Sequence, residues 1–269
     1  MILKEIINKS YYGSVGYIES QAGIELLEQY IIYNLPVLNE FDNIVTSTTY
    51  IDNNLELRIG VENTWKKYFP NSIHIDTGIS RGHSFGAADN DNAIIDYCKT
   101  NNIDWVCKSA NDIIFDSIIL DKEIDEADFY YMNGIGFGGI ANYNFDFQKI
   151  MENDFYPQTN FYFINVSKID YLNNKQYLDD TFKTTRDIPN FNGRIWEYIN
   201  GWSCESFLKQ CIERNSLSKK HLITQDEYHT LIKLVYDYNI HDSSHKNIMI
   251  EGLCHYHFPQ EKIIKIDNI

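Results

Sequence analysis

The chain has 269 residues, of which 43% are hydrophobic and 14% aromatic, and its formal net charge is -15 at pH 7. A chain of this length and composition can bury a large core, which excludes general disorder, and its negative charge disfavours nucleic acid or an anionic membrane as a partner. No apolar run approaches the roughly 20 residues of a membrane span, and charges at Lys4, Glu5 and Lys9 interrupt any signal-peptide core, so we expect a soluble, untargeted cytoplasmic protein.

The five cysteines favour a reducing environment. They form no CxxC pair and no zinc-ribbon spacing, and their odd number argues against a disulfide framework. Cys98, Cys107 and Cys211 lie in apolar patterns, which predicts buried thiols. A nucleophilic cysteine is the alternative interpretation.

Predicted helices and strands alternate through the first half of the chain. In chain order they are a helix over residues 20 to 35 that Pro36 ends, a strand "NIVTSTTYI", a helix over about 54 to 68, a strand "SIHID", a helix that begins near Ser84, and a strand "IDWVCKSAND". This alternation implies parallel strands joined by right-handed crossovers. The sequence therefore predicts an α/β fold.

The ends of these strands carry the residues that we expect near a ligand, because ligands of parallel α/β sheets gather outside the carboxyl ends of the strands. These residues are Thr46, Ser47, Thr48 and Tyr50 on the first strand, Asp76 on the second, and Ser109 to Asp112 on the third. Asp76 could hydrogen-bond a base or ribose, and Arg81 in the following loop could meet phosphate. That loop has neither the Walker motif nor the dinucleotide-binding glycine spacing.

Asp112 is the candidate metal ligand. A carboxylate just past a buried strand supplies a hard oxygen at a rigid, open position, as Mg²⁺ or Mn²⁺ requires. Asn111 could add an amide oxygen or orient a ribose. An ordinary Asn-Asp turn is the alternative interpretation.

Histidines concentrate near the end of the chain. The segment "HDSSHKN" holds His241, Asp242 and His245, and a predicted terminal strand ending in "CHYHFP" holds His255 and His257. Imidazole is a good ligand for Mn²⁺-type ions, so one of these histidines could complete a metal site from the opposite side. Surface histidines, or a histidine/carboxylate metal-dependent hydrolase without the HExxH pattern, are the alternatives.

The second half of the chain carries the candidate acceptor contacts. Two aromatic-rich strands, "DFYYMNGIGFGGIANY" and "TNFYFINVSKI", are typical of either a cleft wall or a core, and the second contains Asn165. In "GWSCES", Ser203 is a plausible N-cap, which puts Glu205 in the first turn of a helix, where free amides favour an ionised carboxylate. Glu205 is therefore a candidate general base, and Trp202 a platform for a sugar ring; ordinary enrichment of acids in a first turn is the alternative.

In their order these pieces resemble the nucleotide-sugar glycosyltransferases of the GT-A fold, most closely the inverting family 2 type. The segment "RGHSFGAADNDNAIIDYCKTNNIDWVCKSANDIIF" is similar to the loop, helix and strand that lead into the family's DxD motif, and "GWSCESFL" lies where the catalytic-acid helix of that family would be. The departure is Ala110, which stands at the first aspartate position of the motif.

The resemblance implies one domain over residues 1-269 with a mixed, mostly parallel central sheet flanked by helices. About 41-125 would form the nucleotide-sugar half and about 126-269 the acceptor half. A UDP- or GDP-sugar would be the donor, with Mn²⁺ or Mg²⁺ on Asp112 and on His255 or His257. Thr46, Ser47, Thr48, Tyr50, Asp76, Arg81 and Asn111 would line the nucleotide site; Glu205 would deprotonate a glycan or other hydroxyl acceptor, with Trp202 and Asn165 as acceptor contacts. A catalytically silent sugar-nucleotide or glycan-binding protein is the alternative, because the first aspartate is missing.

Overall fold

The computed structural model describes residues 2–111, 113–115, 123–133, 157–170, 204–222, 247–249, 254–256 and 263–265. Its helices are α1 Leu3–Ile7, α2 Gln21–Leu38, α3 Leu55–Tyr68, α4 His83–Thr100 and α5 Cys204–Arg214. Its strands are β1 Ser10–Ile18, β2 Ile44–Tyr50, β3 Ile73–Ile79, β4 Trp105–Ala110, β5 Ile113–Phe115, β6 Phe129–Asn133, β7 Pro157–Asn165, β8 Lys219–His221, β9 Asn247–Met249, β10 Cys254–Tyr256 and β11 Ile263–Lys265. A 3-10 turn, Val166–Lys168, follows β7.

A seven-stranded sheet in the order β3-β2-β1-β4-β7-β6-β8 lies at the centre. Strands β1 to β4 are parallel, β7 runs antiparallel to both β4 and β6, and β8 is parallel to β6. Among the strands that the structure describes in this sheet, β7 alone therefore runs against the others. The predicted α/β class with a mixed, mostly parallel sheet is confirmed, and strands from both predicted halves of the chain join the same sheet.

Helices cover both faces of the sheet. On one face, α2 and α3 pack Leu27, Ile31, Val61 and Trp65 against strand residues that include Tyr12. On the other face, α4 and α5 contribute apolar side chains to a second cluster; these are Ile94, Ile95, Cys98, Leu208, Cys211 and Ile212. Apolar residues at helical spacing thus bury one stripe of each helix against the strands.

Strand β1 lies in the middle of the sheet, between β2 and β4, although no strand is predicted before residue 20 and β1 precedes the predicted nucleotide half. Gly13 and Gly16 interrupt its run of β-forming residues, and glycine weakens a strand pattern. At Gly13 an added Cβ would lie 3.0 Å from Ile94 Cγ2. The glycine therefore lets α4 pack closely on the central strand.

Three predicted boundaries differ from the structure. Helix α2 runs through Pro36 to Leu38, because a proline in the last turn removes few helical hydrogen bonds and Asn39 N still donates to Leu35 O at 3.0 Å. Strand β3 extends beyond "SIHID" to Ile79. Within and beside the predicted terminal strand the structure describes β9 and β10, which belong to different sheets, and β10 pairs with β5 in a separate two-stranded sheet.

The cysteine prediction is confirmed for three residues. Cys98, Cys107 and Cys211 are buried free thiols. Burial raises the pKa of Cys98 to about 12, so its thiolate, the nucleophilic form, is scarce near neutral pH.

Candidate functional site

The strand order reverses between β1 and β4, because β2 and β3 continue on one side of β1 and β4 starts the other side. In open α/β sheets this reversal opens a crevice at the carboxyl ends of the two strands. Asn111 directly follows β4, and its backbone N–H donates to Val15 O at 2.9 Å. The predicted nucleotide contact Asn111 thus lies at the point where this fold class binds ligands.

Gly16 makes room for the side chain of Asn111. A Cβ added at Gly16 would lie 2.7 Å from Asn111 Nδ2, closer than real Cβ contacts allow. Tyr17 follows at the end of β1 and is 47% exposed. Partial burial and the neighbouring Glu19 raise the pKa of Tyr17, so its phenol is neutral at physiological pH. Because no strand is predicted from the sequence at β1, neither Gly16 nor Tyr17 is predicted as a site residue. The signal that could have found them is the run of β-forming residues "SYYGSVGYI".

Asn90 of α4 joins three of the strand ends. Its Oδ1 accepts from Ser47 Oγ at 2.8 Å and lies 2.7 Å from Thr77 Oγ1, while its Nδ2 donates to Gly16 O at 2.9 Å. Asn90 is 2% exposed, so these bonds form out of contact with water and hold β1, β2 and β3 in fixed register. Asn90 is not among the residues predicted from the sequence, because nothing in the local pattern separates it from an exposed asparagine.

The four β2 residues predicted to line a base pocket have buried side chains. They are Thr46, Ser47, Thr48 and Tyr50, all at most 4% exposed. The reason is that β2 is an inner strand covered by helices on both faces, so its hydroxyls serve internal hydrogen bonds. These four side chains are therefore not open at this edge of the sheet.

His74 of β3 connects two of those hydroxyl groups. Its Nδ1 lies 2.8 Å from Thr46 Oγ1, and its Nε2 lies 3.1 Å from Tyr50 Oη. Burial lowers the pKa of His74 below its ordinary value, which favours the neutral ring. Burial also raises the pKa of Tyr50, as the largest of several causes. This group is an internal polar network beside the strand ends.

Asp76 and Arg81, the other predicted nucleotide contacts, are both engaged in ion pairs. The Asp76 carboxylate pairs with Arg58 of α3, and its Oδ1 accepts from Gly78 N at 2.8 Å. Arg81 makes a bidentate contact with Asp89, with Nε 2.7 Å from Oδ2. Both side chains lie at the carboxyl edge, and each has a protein partner there.

Asn165 lies at the opposite edge of the sheet. It is the last residue of β7 and pairs with Trp105, the first residue of β4, whereas Asn111 follows the last. Its side chain accepts from Ser167 N at 3.2 Å and caps the 3-10 turn. The structure therefore does not bring Asn165 together with the other predicted site residues, because β7 runs antiparallel to β4.

The structure describes only some of the residues predicted to bind the metal and the acceptor. Asp112, Trp202 and His257 lie outside the described residues, as do His241, Asp242 and His245. Of Glu205 and His255 the backbone alone is described. Glu205 is the second residue of α5, so its predicted place in a first helical turn is confirmed.

Strand β10 pairs antiparallel with β5, with His255 opposite Ile114 and Tyr256 opposite Ile113. The histidine-containing strand is therefore the neighbour of the segment that follows Asp112 in the sequence. Within the described ranges no group of three or more His, Cys, Asp or Glu side chains could hold a metal ion. In the same ranges no helix has the length and apolarity needed to cross a membrane.

No protein-family model matches the chain, and no curated protein matches it. Solved structures similar to it include the galactosyltransferase LgtC in complex with donor and acceptor sugar analogues, at 9% identity and a TM-score of 0.41, covering 78% of this chain and 72% of that chain. An active-site variant of LgtC gives 11% identity with the same TM-score and coverage. The apo glycosyltransferase GlyE of Streptococcus pneumoniae gives 12% identity and a TM-score of 0.41, covering 86% of this chain and 50% of that chain. The strand order of this chain itself defines its fold.

Proposed function

We propose that this protein is a metal-dependent glycosyltransferase that moves a sugar from a nucleoside-diphosphate donor to a hydroxyl acceptor. The observation that supports the proposal most is the pairing of β5 with β10, with Tyr256 opposite Ile113. Asp112 directly precedes Ile113 and His257 directly follows Tyr256 in the sequence. Candidate ligands from distant parts of the chain are thus attached to neighbouring strands, beside the crevice between β1 and β4.

The residue types fit a divalent metal. A carboxylate from Asp112 and an imidazole from His255 or His257 are ligands that Mn²⁺ accepts, and Mg²⁺ would favour the carboxylate. When bound, such an ion offsets the negative charge that grows on a diphosphate leaving group. UDP- and GDP-sugars are the donors that we propose.

The crevice offers distinct surfaces to the two parts of the donor. We assign stacking of the base to the exposed ring of Tyr17, because every base presents an aromatic face to such a ring. Asn111, beside Gly16, has an amide that can donate to or accept from a ribose hydroxyl. The base and ribose would then lie along β1, and the diphosphate at the end of β4.

Glu205 is the proposed general base. Its place in the first turn of α5 favours the ionised carboxylate, which can take the proton of the acceptor hydroxyl. The hydroxyl oxygen then forms a bond to the anomeric carbon while the bond from that carbon to the diphosphate oxygen breaks. Attack from the face opposite the leaving group inverts the configuration, and Trp202 is the proposed platform for the acceptor sugar.

The first experiment measures thermal stability with UDP-, GDP-, CMP- and dTDP-sugars, each with and without Mn²⁺. A ligand at 100 times its Kd adds about 2.7 kcal/mol of stability, which a melting curve resolves. We expect one donor class to stabilise the protein only with the metal, and Asp112→Asn to remove this shift. Asp104→Asn is the matched control, because Asp104 is exposed just before β4 at the opposite edge. Absence of a shift with any donor would contradict the proposal.

The second experiment separates transfer from silent binding. Acceptor-dependent release of nucleoside diphosphate, followed over a panel of sugars, is expected from the wild type. Glu205→Gln is expected to lower this rate about 10²-fold or more while donor binding persists, with Glu213→Gln on the exposed side of the same helix as control. Donor binding without any release would identify the catalytically silent alternative.

A further inference from the structure

Lys108 of β4 and Asp91 of α4 form a buried ion pair beneath the carboxyl edge of the sheet. Lys108 Nζ lies 3.1 Å from Asp91 Oδ1, and each residue is 2% exposed. The same ammonium donates to the backbone carbonyl of Thr159 on β7 and lies 5.5 Å from the centre of the Tyr162 ring. Val106 and Ile94, in the same region, belong to the apolar cluster on this face of the sheet.

Stability alone does not explain charges at this position. Transfer of an ammonium and a carboxylate out of water is costly, and replacing a buried ion pair with apolar residues of similar volume is often neutral or stabilising. Val106 shows that an apolar side chain suits the same face of β4. An ion pair at such a site is better explained by what its directional contacts hold in place.

The contacts of the pair join three elements around the end of β4. Lys108 lies on β4 two positions before Ala110, Asp91 belongs to α4, and Thr159 belongs to β7. Asp91 also directly follows Asn90, whose amide holds the ends of β1, β2 and β3. One turn of α4 therefore fixes the first three strands through Asn90, and β4 and β7 through Asp91.

We propose that the Lys108–Asp91 ion pair is a positioning device that sets the end of β4 at the place where the diphosphate and metal of the donor bind. This inference rests on the proposed function. Neither residue touches the ligand, since both are enclosed; they act by holding the end of β4 against α4 and β7. The base and ribose do not depend on the pair, because Asn90 holds the ends of β1 to β3. Asn111, the proposed ribose contact, is tied to β1 by its own N–H, which donates to Val15 O at 2.9 Å.

The test removes both charges together with Lys108→Met and Asp91→Leu, so that no unpaired charge stays buried. Binding of Mn²⁺ with UDP or GDP, and of uridine or guanosine without phosphate, is measured by calorimetry alongside the melting temperature. We expect about tenfold weaker binding of the metal–nucleoside diphosphate, with nucleoside binding and melting temperature nearly unchanged. The control is Lys220→Met with Asp125→Leu, which removes an exposed ion pair of 3.0 Å.

The possible outcomes distinguish an ion pair that positions the diphosphate site from one that only stabilises the fold. Unchanged binding of both ligands, or an equal loss for both, overturns the inference. If the double variant does not fold, Lys108→Arg decides, because a planar guanidinium cannot take the place of the ammonium between Asp91 and Thr159 without moving β4. A selective loss for the diphosphate in that variant supports the inference, and unchanged binding overturns it. A wild type that binds neither UDP nor GDP with Mn²⁺ refutes the proposed function itself.

Discussion

Gly16 and Asn111 face each other across β1 and β4 at the edge where the proposed donor binds, and their fit depends on a missing Cβ. A few tenths of an ångström there decide where the Asn111 amide points. At the same scale, Asn90 shows how one buried amide, with two donors and one acceptor oxygen, can serve three strands. The candidate site is therefore built from small and neutral residues as much as from charges.

Replacing Gly16 with alanine is expected to weaken nucleotide binding with little loss of stability. The added Cβ displaces the far end of the Asn111 side chain, which can rotate away but then leaves its binding position. Gly13→Ala is the matched contrast on the same strand, because its Cβ presses on Ile94 and Val106 and should lower stability instead. Melting curves with and without the stabilising donor distinguish the two, and equal loss of binding in both variants would contradict the assignment.

His221 makes the folded protein less stable at acidic pH. Burial lowers its pKa from 6.5 to about 4, its ring packs 4.6 Å from that of Tyr131, and within the described part of the chain neither ring nitrogen has a hydrogen-bond partner. Because the unfolded chain binds the proton more readily, stability falls as pH drops from about 6.5 toward 4.

We expect His221→Phe to reduce this pH dependence. Between pH 7 and 5 the wild type should lose about 2 kcal/mol more of its free energy of unfolding than the variant. Denaturant titrations at the two pH values measure the difference. His74, whose pKa is also lowered by burial, contributes the same sign in both proteins and so cancels in the comparison.

At the scale of elements, the starts of α2 and α3 show which helix boundaries have a local signal in the sequence. The side chain of Asn54 accepts from Glu56 N at 2.9 Å and from Leu57 N at 3.3 Å, so α3 begins where its sequence predicts. Helix α2 has Ser20 at the corresponding position without a side-chain capping bond. Capping is a local interaction, so the bonds of Asn54 mark the start of α3 in the sequence, whereas the start of α2 follows from its apolar periodicity.

Asn54→Ala is expected to lower the free energy of unfolding by about 1 kcal/mol, the usual value of a lost N-cap. Ser20→Ala is the matched control and should change it by less than about 0.5 kcal/mol, because Ser20 makes no capping bond. Chemical denaturation of the three proteins measures both changes. Equal losses in the two variants would show that the Asn54 bonds contribute nothing beyond side-chain propensity.

At the scale of the whole molecule, the order β3-β2-β1-β4 decides which loops surround the crevice. Loops after β1, β2 and β3 lie at the carboxyl edge, and loops that precede β2, β3 and β4 lie at the opposite edge. The parallel direction of the strands puts all their carboxyl ends at one edge of the sheet, and this fold class binds ligands at that edge.

Hydrogen exchange with Mn²⁺ and UDP or GDP is expected to slow at residues 19–20, 51–53 and 80–82. These segments follow β1, β2 and β3, where the proposed nucleotide binds. Residues 41–43, 70–72 and 101–104 precede β2, β3 and β4 and should exchange at the same rate with and without the ligand. Protection confined to this second set would place the ligand at the wrong edge and contradict the proposed site.

The sequence by itself determined the kind of the main helices and strands between residues 20 and 111 and much of the α/β class, because apolar periodicity and strand composition act over a few residues. It also indicated Asn111 at a strand end and the first-turn position of Glu205. The tertiary structure alone decided that β1 is the central strand, that the β2 hydroxyls are buried, and that Asn165 lies at the far edge. It also decided the partners of the charges, Arg58 for Asp76, Asp89 for Arg81 and Lys108 for Asp91. Most of these facts depend on contacts between distant segments, and strand order and packing, which no local pattern records, set those contacts.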